Sequence, residues 1–263
     1  MKTPKDIKVA SFEDLVNKLY LDSWDEGLKR HRSSYVFRGV ASADYDLKTS
    51  FQRLKPADPR LERAILRNFR KYASRDTNPG DSVWNWLSVA QHHGLPTRLL
   101  DWTISPFVAL HFATEETDKY DQDAAVWCTD ARVVRSHLPS ALLQTLRDEY
   151  AWSFDVHILS RVAGDLDTFD HLAPQPFPLL FEPPSIDDRI VNQSGLFSVM
   201  SSSTASLHEW LARYPESFQR LIIPARLKWE VRDKLDMMNL NERVIYPGLD
   251  GLSRWLKRYY GAR

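Results

Sequence analysis

Cysteine is nearly absent: Cys128 is the single one in 263 residues. An internal disulfide is therefore excluded, and so is every CxxC zinc spacing. Glycine is also scarce, with nine in the chain. Neither GxGxxG nor GxxxxGK[ST] occurs, which removes the common glycine-rich phosphate cradles. The eight histidines include no HExxH, so a metal site is not expected. Charge of one sign is missing too. Lys+Arg and Asp+Glu both number 35, which excludes a protein that coats nucleic acid or an anionic membrane by bulk charge. No apolar signal core follows Met1. The longest nearly apolar stretch, Pro106 to Phe112, is far too short to span a bilayer. A cytoplasmic protein with no membrane partner is the expectation.

Bulk, by contrast, is present. Apolar residues make up 43% of the chain and nine tryptophans are among them, enough to fill a core. Residues 11–21 carry apolar side chains at helical spacing behind a Ser11 N-cap. Residues 34–40 are rich in strand formers, with Gly39 expected to end or bend the strand. Residues 60–73 read as an amphipathic helix, with Leu61, Ile65, Phe69 and Tyr72 on the buried face. Arg63, Arg67 and Arg70 share the opposite face, a candidate surface for a protein or nucleic-acid target. Helices are expected over 83–91 and 104–114, the latter buried nearly all round. Ala124 to Cys128 reads as a buried strand. Residues 131–150 and 151–163 read as helical, and 174–184, with five prolines, as an extended segment or loop. A strand over 196–200, a helix over 205–213, a strand over 221–223 and helices over 226–237 and 248–259 complete the reading. No linker divides the chain. The fold class expected is α+β: one compact domain, with helices packed on a small, mostly antiparallel sheet.

The densest segment runs from Gln91 to Ala113. It sets His92, His93, Thr97, Arg98, Asp101, Trp102, Thr103 and Ser105 between a helix and a buried helix. Connections of this kind are ordinarily short and carry one or two caps, so a long polar, aromatic one reads as a site wall. Arg38 offers a fork for a pyrophosphate or carboxylate, or a structural ion pair with Asp101. Of the two histidines, at most one can face a site, and His93 is favoured because it borders Gly94. Thr97, Arg98 and Asp101 read as a network fixing the loop. Trp102 offers a flat face for a base or anchors the loop. Ser105 before Pro106 reads first as an N-cap.

Tyr35-Val-Phe-Arg-Gly39, the run from Gln91 to Thr103 and the run from Ser105 to Ala113 together closely resemble the FRG domain family. Its Phe-Arg-Gly motif stands here as Phe37, Arg38 and Gly39. Arg189 to Phe197 and Glu242 to Gly251 resemble its downstream blocks. The division this implies is an N-terminal helical segment over 1–29 and the FRG-like domain over 30–263. A second resemblance is to ADP-ribosyltransferases. Those folds set an Arg or His on an early strand, a Ser/Thr-containing strand leading into an apolar helix, and a Glu on a late strand. Arg38 stands at the first position and Thr103 to Ser105, before Phe107 to Ala113, at the second. At the third stands Gln193, not Glu, and a carboxylate such as Glu242 would serve instead. This resemblance implies NAD as substrate, without a metal, and ADP-ribosyl transfer or NAD glycohydrolysis. Arg38, Ser105 and Gln193 would be its catalytic residues, with His93, Thr97, Arg98, Asp101, Trp102 and Thr103 contacting the ligand. A nucleotide- or nucleic-acid-binding module without turnover, and a protein-interaction domain, are the readings from other classes.

Overall fold

The computed structural model describes residues 6–55, 58–185 and 188–261. Its centre is an eight-stranded sheet, larger than the sequence suggests. The strand order is Asp6–Lys8, Phe218–Ile223, Ala124–Asp130, Tyr35–Val40, Leu99–Thr103, Gly195–Met200, Pro178–Glu182 and Phe154–Asp155. Both outermost pairs are parallel and all inner pairs antiparallel. Every residue of Ala124–Asp130 is buried, as a central strand covered on both faces must be.

The sheet has a seam. Tyr35–Val40 runs in register with Ala124–Asp130 over six residues, but it meets Leu99–Thr103 at one pair only, Phe37 opposite Thr103. Beyond that pair the two strands part. One face of the sheet is continuous across the seam: Val36, Val40 and Trp127 share a cluster with Leu100, Trp102 and Leu196. The other face is covered in two blocks. Helices Phe12–Leu19, Pro106–Ala113 and Lys228–Met237 cover the first half, packing on Phe37, Val126 and Leu221. Helices Val83–His92, Ser140–Asp148 and Val156–Val162 cover the second, packing on Leu99, Leu179 and Phe197. A two-residue hairpin, Trp24–Asp25 with Arg30–His31, stands apart.

Local chemistry explains where the elements start. The Oγ of Ser11, Ser82, Ser105 and Ser206 each accept a bond from an N–H in the first turn of a helix. Pro139 splits the expected 131–150 helix into Ala131–Ser136 and Ser140–Asp148. Asp155 accepts from His157 N and Ile158 N, both at 2.8 Å, so the chain is extended at Phe154–Asp155 before it turns helical. The proline-rich segment supplies the strand Pro178–Glu182 near the sheet's edge, with its proline at the first position.

Gly39 does not end its strand. It pairs with Val126 and the strand continues to Val40. Glycine is required there because the helix Pro106–Ala113 lies directly on it: a Cβ would stand 1.8 Å from the Ala109 carbonyl oxygen. The N-terminal segment, expected to be helical, holds the helix Phe12–Leu19 and also gives one strand to the main sheet. Asp6–Lys8 pairs with Phe218–Ile223, and Arg220 Nη2 and Nε reach Asp6 at 2.6 and 2.7 Å. Residues 1–5 of that segment lie outside the described ones. Among the described residues, no helix is long and apolar enough to cross a membrane.

Candidate functional site

Where the two strands part, a cleft of about 390 Å³ opens, within the size range of small-molecule sites. Arg38, Gln91, Asp101, Trp102, Thr103 and Gln193 line it, so the Phe-Arg-Gly strand, the polar connection and the residues before Gly195 meet at one place. Tyr45, Phe112 and Phe197 add aromatic surface.

Arg38 spans the seam. Its Nη1 donates to the Asp101 carbonyl oxygen at 2.6 Å, with the Asp101 carboxylate farther off at 3.9 Å. Its Nε has no hydrogen-bond partner among the described residues. Burial draws its pKa below the ordinary arginine value, and Asp101 opposes that shift. The charge persists, held by one carbonyl with donors unspent. Asp101 itself is fixed from the other side. Gln91 Nε2 donates to its Oδ2 at 2.9 Å, and the Gln91 Oε1 accepts from Thr97 Oγ1 at 2.5 Å.

Several expected residues are spent on architecture. Arg98 does not pair with Asp101 and does not line the cleft. Only 2% exposed, it forks onto Glu62, with Nε–Oε1 at 2.8 Å and Nη2–Oε2 at 2.6 Å, and also bonds Asp170. Burial works against its charge, but those two carboxylates more than offset it and raise its pKa. Thr97 is buried and accepts from Leu99 N. Trp102 is buried and donates from Nε1 to Ser198 Oγ at 2.8 Å, locking two strands together. Thr103 Oγ1 donates to the Gln193 carbonyl oxygen at 2.7 Å. Ser105 caps its helix through Val108 N, and the strand before it already ends at Thr103. Gln193 is not on a late strand. It ends the short helix Asp188–Gln193, and its Nε2 donates to the Ile245 carbonyl oxygen at 3.2 Å.

The histidines are reversed. His92, the last helical residue, lines the cleft, whereas His93 caps the helix and is exposed. Glu242 does not line the cleft. It is 4% exposed. Burial alone would raise its pKa, but Arg258, at 2.6 and 2.8 Å, pulls it down to about 2. The arginine face of helix Pro59–Ala73 is also partly engaged. Arg63 pairs with Asp167, and Arg70 lies 5.4 Å over the Trp86 ring.

Sequence reasoning missed the far wall of the cleft. Glu115 and Glu116 follow the helix Pro106–Ala113, and Arg189 is the second residue of the helix that Gln193 closes. Tyr246 OH donates to both Glu115 oxygens at 2.8 Å. Burial is the leading influence on the Glu115 carboxyl and raises its pKa, against the Tyr246 bond and Arg254. A signal was available. Two acids directly past a helix C-terminus oppose the helix dipole, a placement that stability does not favour. Among the described residues, no group of three or more His, Cys, Asp or Glu is placed to hold a metal. Cys128 is buried, and burial pushes its thiol pKa up, so it is no nucleophile.

Residues 33–122 match the family model of the FRG domain, and the chain carries that domain. The downstream blocks at 189–197 and 242–251 lie beyond the matched span. No curated protein and no solved structure matches the chain.

Proposed function

We propose that the cleft binds an adenine or nicotinamide dinucleotide and that the protein cleaves NAD at the nicotinamide–ribose bond, transferring ADP-ribose. The observation that carries this reading is Arg38, a fixed guanidinium with unspent donors at the mouth of a seam in the sheet. Arg189 supplies a second guanidinium to the same cleft. Paired guanidinium groups suit a pyrophosphate, and Tyr45, Phe112 and Phe197 offer faces for a base or a nicotinamide ring. Gln193 and Ser105 are positioned as scaffold in this reading, since each already serves backbone.

The test is a thermal shift with NAD and ADP-ribose, on the wild type and Arg38→Lys. Lysine keeps the charge but loses the fork, so affinity falls roughly ten- to a hundred-fold, the equivalent of about 1.5–3 kcal/mol for a charged hydrogen bond. The melting temperature without ligand stays near that of the wild type, because Arg38 makes one hydrogen bond to a carbonyl rather than a buried ion pair. A variant that unfolds while its ligand response is unchanged assigns Arg38 to the core and ends the proposal.

A further inference from the structure

Glu115 stands where two cavities meet. It lines the cleft and also a second hollow of about 600 Å³, between residues 115–118 and the C-terminal helix Leu249–Tyr260. Glu62 and Glu242 are buried, whereas the Glu115 side chain is 25% exposed, and the three are held differently. Glu62 and Glu242 are each forked by an arginine, Arg98 and Arg258. Glu115 is held instead by a phenol, the Tyr246 OH at 2.8 Å from each oxygen, with Arg254 no nearer than 3.7 Å. A carboxylate gripped chiefly by a neutral donor, with its cation at 3.7 Å, gives up less on taking a proton than one forked by an arginine. The Tyr246 ring itself contacts two cations, Arg189 at 5.2 Å and Arg254 at 4.7 Å from its centroid. Glu116, Asp118, Trp229, Arg254 and Lys257 also line the second hollow.

We propose that Glu115 is the general base of the reaction and that the second hollow admits its acceptor, a hydroxyl group, with water serving where none is bound. The inference rests on the NAD reading above. The acceptor O–H gives its proton to the Glu115 carboxylate. Its oxygen forms a bond to the anomeric carbon as the bond from that carbon to the nicotinamide nitrogen breaks. Nicotinamide leaves neutral with the electron pair, and Glu115 then passes the proton to water. Tyr246 is a positioning residue. The charged and titratable groups that face Glu115 are Tyr246, Arg254, Glu242 and Arg232, with Arg189 behind Tyr246.

The experiment measures nicotinamide release from NAD, with water as acceptor, beside the NAD-induced thermal shift. Glu115→Gln keeps the shift and loses turnover by about 10²–10⁴-fold, the range of a lost general base. Tyr246→Phe removes a bond that favours the charged carboxylate. The acid limb of kcat/KM then moves to higher pH by about one unit, which a merely structural tyrosine would not cause. A Glu115→Gln enzyme with wild-type turnover overturns the inference, as does an unmoved pH profile in Tyr246→Phe should Glu115→Gln not fold. Wild-type protein that shifts with NAD but releases no nicotinamide refutes Glu115 as a base and leaves nucleotide binding standing. Wild-type protein that shows no shift with NAD or ADP-ribose refutes both.

Discussion

Gly39→Ala is expected to destabilise the protein by about 3 kcal/mol or more, the upper end of overpacking costs. The added methyl would lie 1.8 Å from the Ala109 carbonyl oxygen, 2.7 Å from Ala113 N and 2.8 Å from the Ala109 carbonyl carbon. All three are backbone atoms, so no side chain can swing aside. The helix Pro106–Ala113 has nowhere to retreat, because Val108, Ala109, Leu110, His111 and Ala113 are all buried. Lifting it would open voids around Phe37, Val126 and Leu235. Against a typical total of about 5–15 kcal/mol, the loss appears as a large fall in the urea midpoint. A midpoint equal to the wild type would show that the helix is not held against the strand.

The three motif residues thus have three separate causes. Phe37 is 2% exposed and fills the core beneath the helix. Gly39 lets that helix approach. Arg38, whose side chain projects to the other face, is the member left to meet a ligand. The motif divides into two structural residues and one candidate functional residue. Alternation along a strand makes that division, since neighbours point to opposite faces.

Much of the fold was legible for a simple reason: apolar spacing and capping residues act locally. Ser11, Ser82 and Ser105 stand before apolar runs, and each helix begins where its serine stands. The failures came where a distant partner overrode the local pattern. On helix Pro59–Ala73 the apolar spacing pointed to Leu61, Ile65, Phe69 and Tyr72. The buried residues are instead Glu62 and Leu66, and Tyr72 is 72% exposed. Glu62 is drawn inward by Arg98, 36 positions away, and that turns the helix face. Strand Leu99–Thr103 was hidden inside a segment read as a loop. Its only exposed member, Asp101, alternates with no partner of like character.

The candidate site was legible in its near wall and not in its far one. Asp101 and Thr103 could be picked because the polar density around residues 91–105 is visible in one window, and Arg38 because it stands in the Phe-Arg-Gly motif. Glu115, Arg189 and Tyr246 are separated by 131 positions from first to last. Only the fold brings them together, through Tyr246 on Glu115 and Arg189 over Tyr246. The choice between His92 and His93 turned on a single position at a helix end. The last helical residue keeps the direction of its helix face, whereas the C-cap departs from it.

Arg98→Met is expected to cost about 3–5 kcal/mol, the range for breaking a buried ion pair from one side. The substitution conserves much of the side chain's length and apolar stem. It leaves Glu62, 2% exposed, as a buried carboxylate without its fork. Asp170 is less affected, since at 18% exposed it retains water. Desolvation, not lost packing, is then the source of the penalty, and a second variant separates the two. Arg98→Met combined with Glu62→Met removes both charges and keeps the volume filled. Such apolar replacements of a buried pair are often neutral or stabilising. The double variant should therefore recover most of the loss, and its stability should exceed that of Arg98→Met alone in urea unfolding. Equal losses in the single and double variants would mean that the ion cluster contributes through geometry that an apolar pair cannot replace. Full recovery would also bear on function. Neither residue lines the cleft, so the recovered double variant should keep the wild type's response to added NAD, which sets Arg98 in the architecture of the domain, apart from the cleft arginines Arg38 and Arg189.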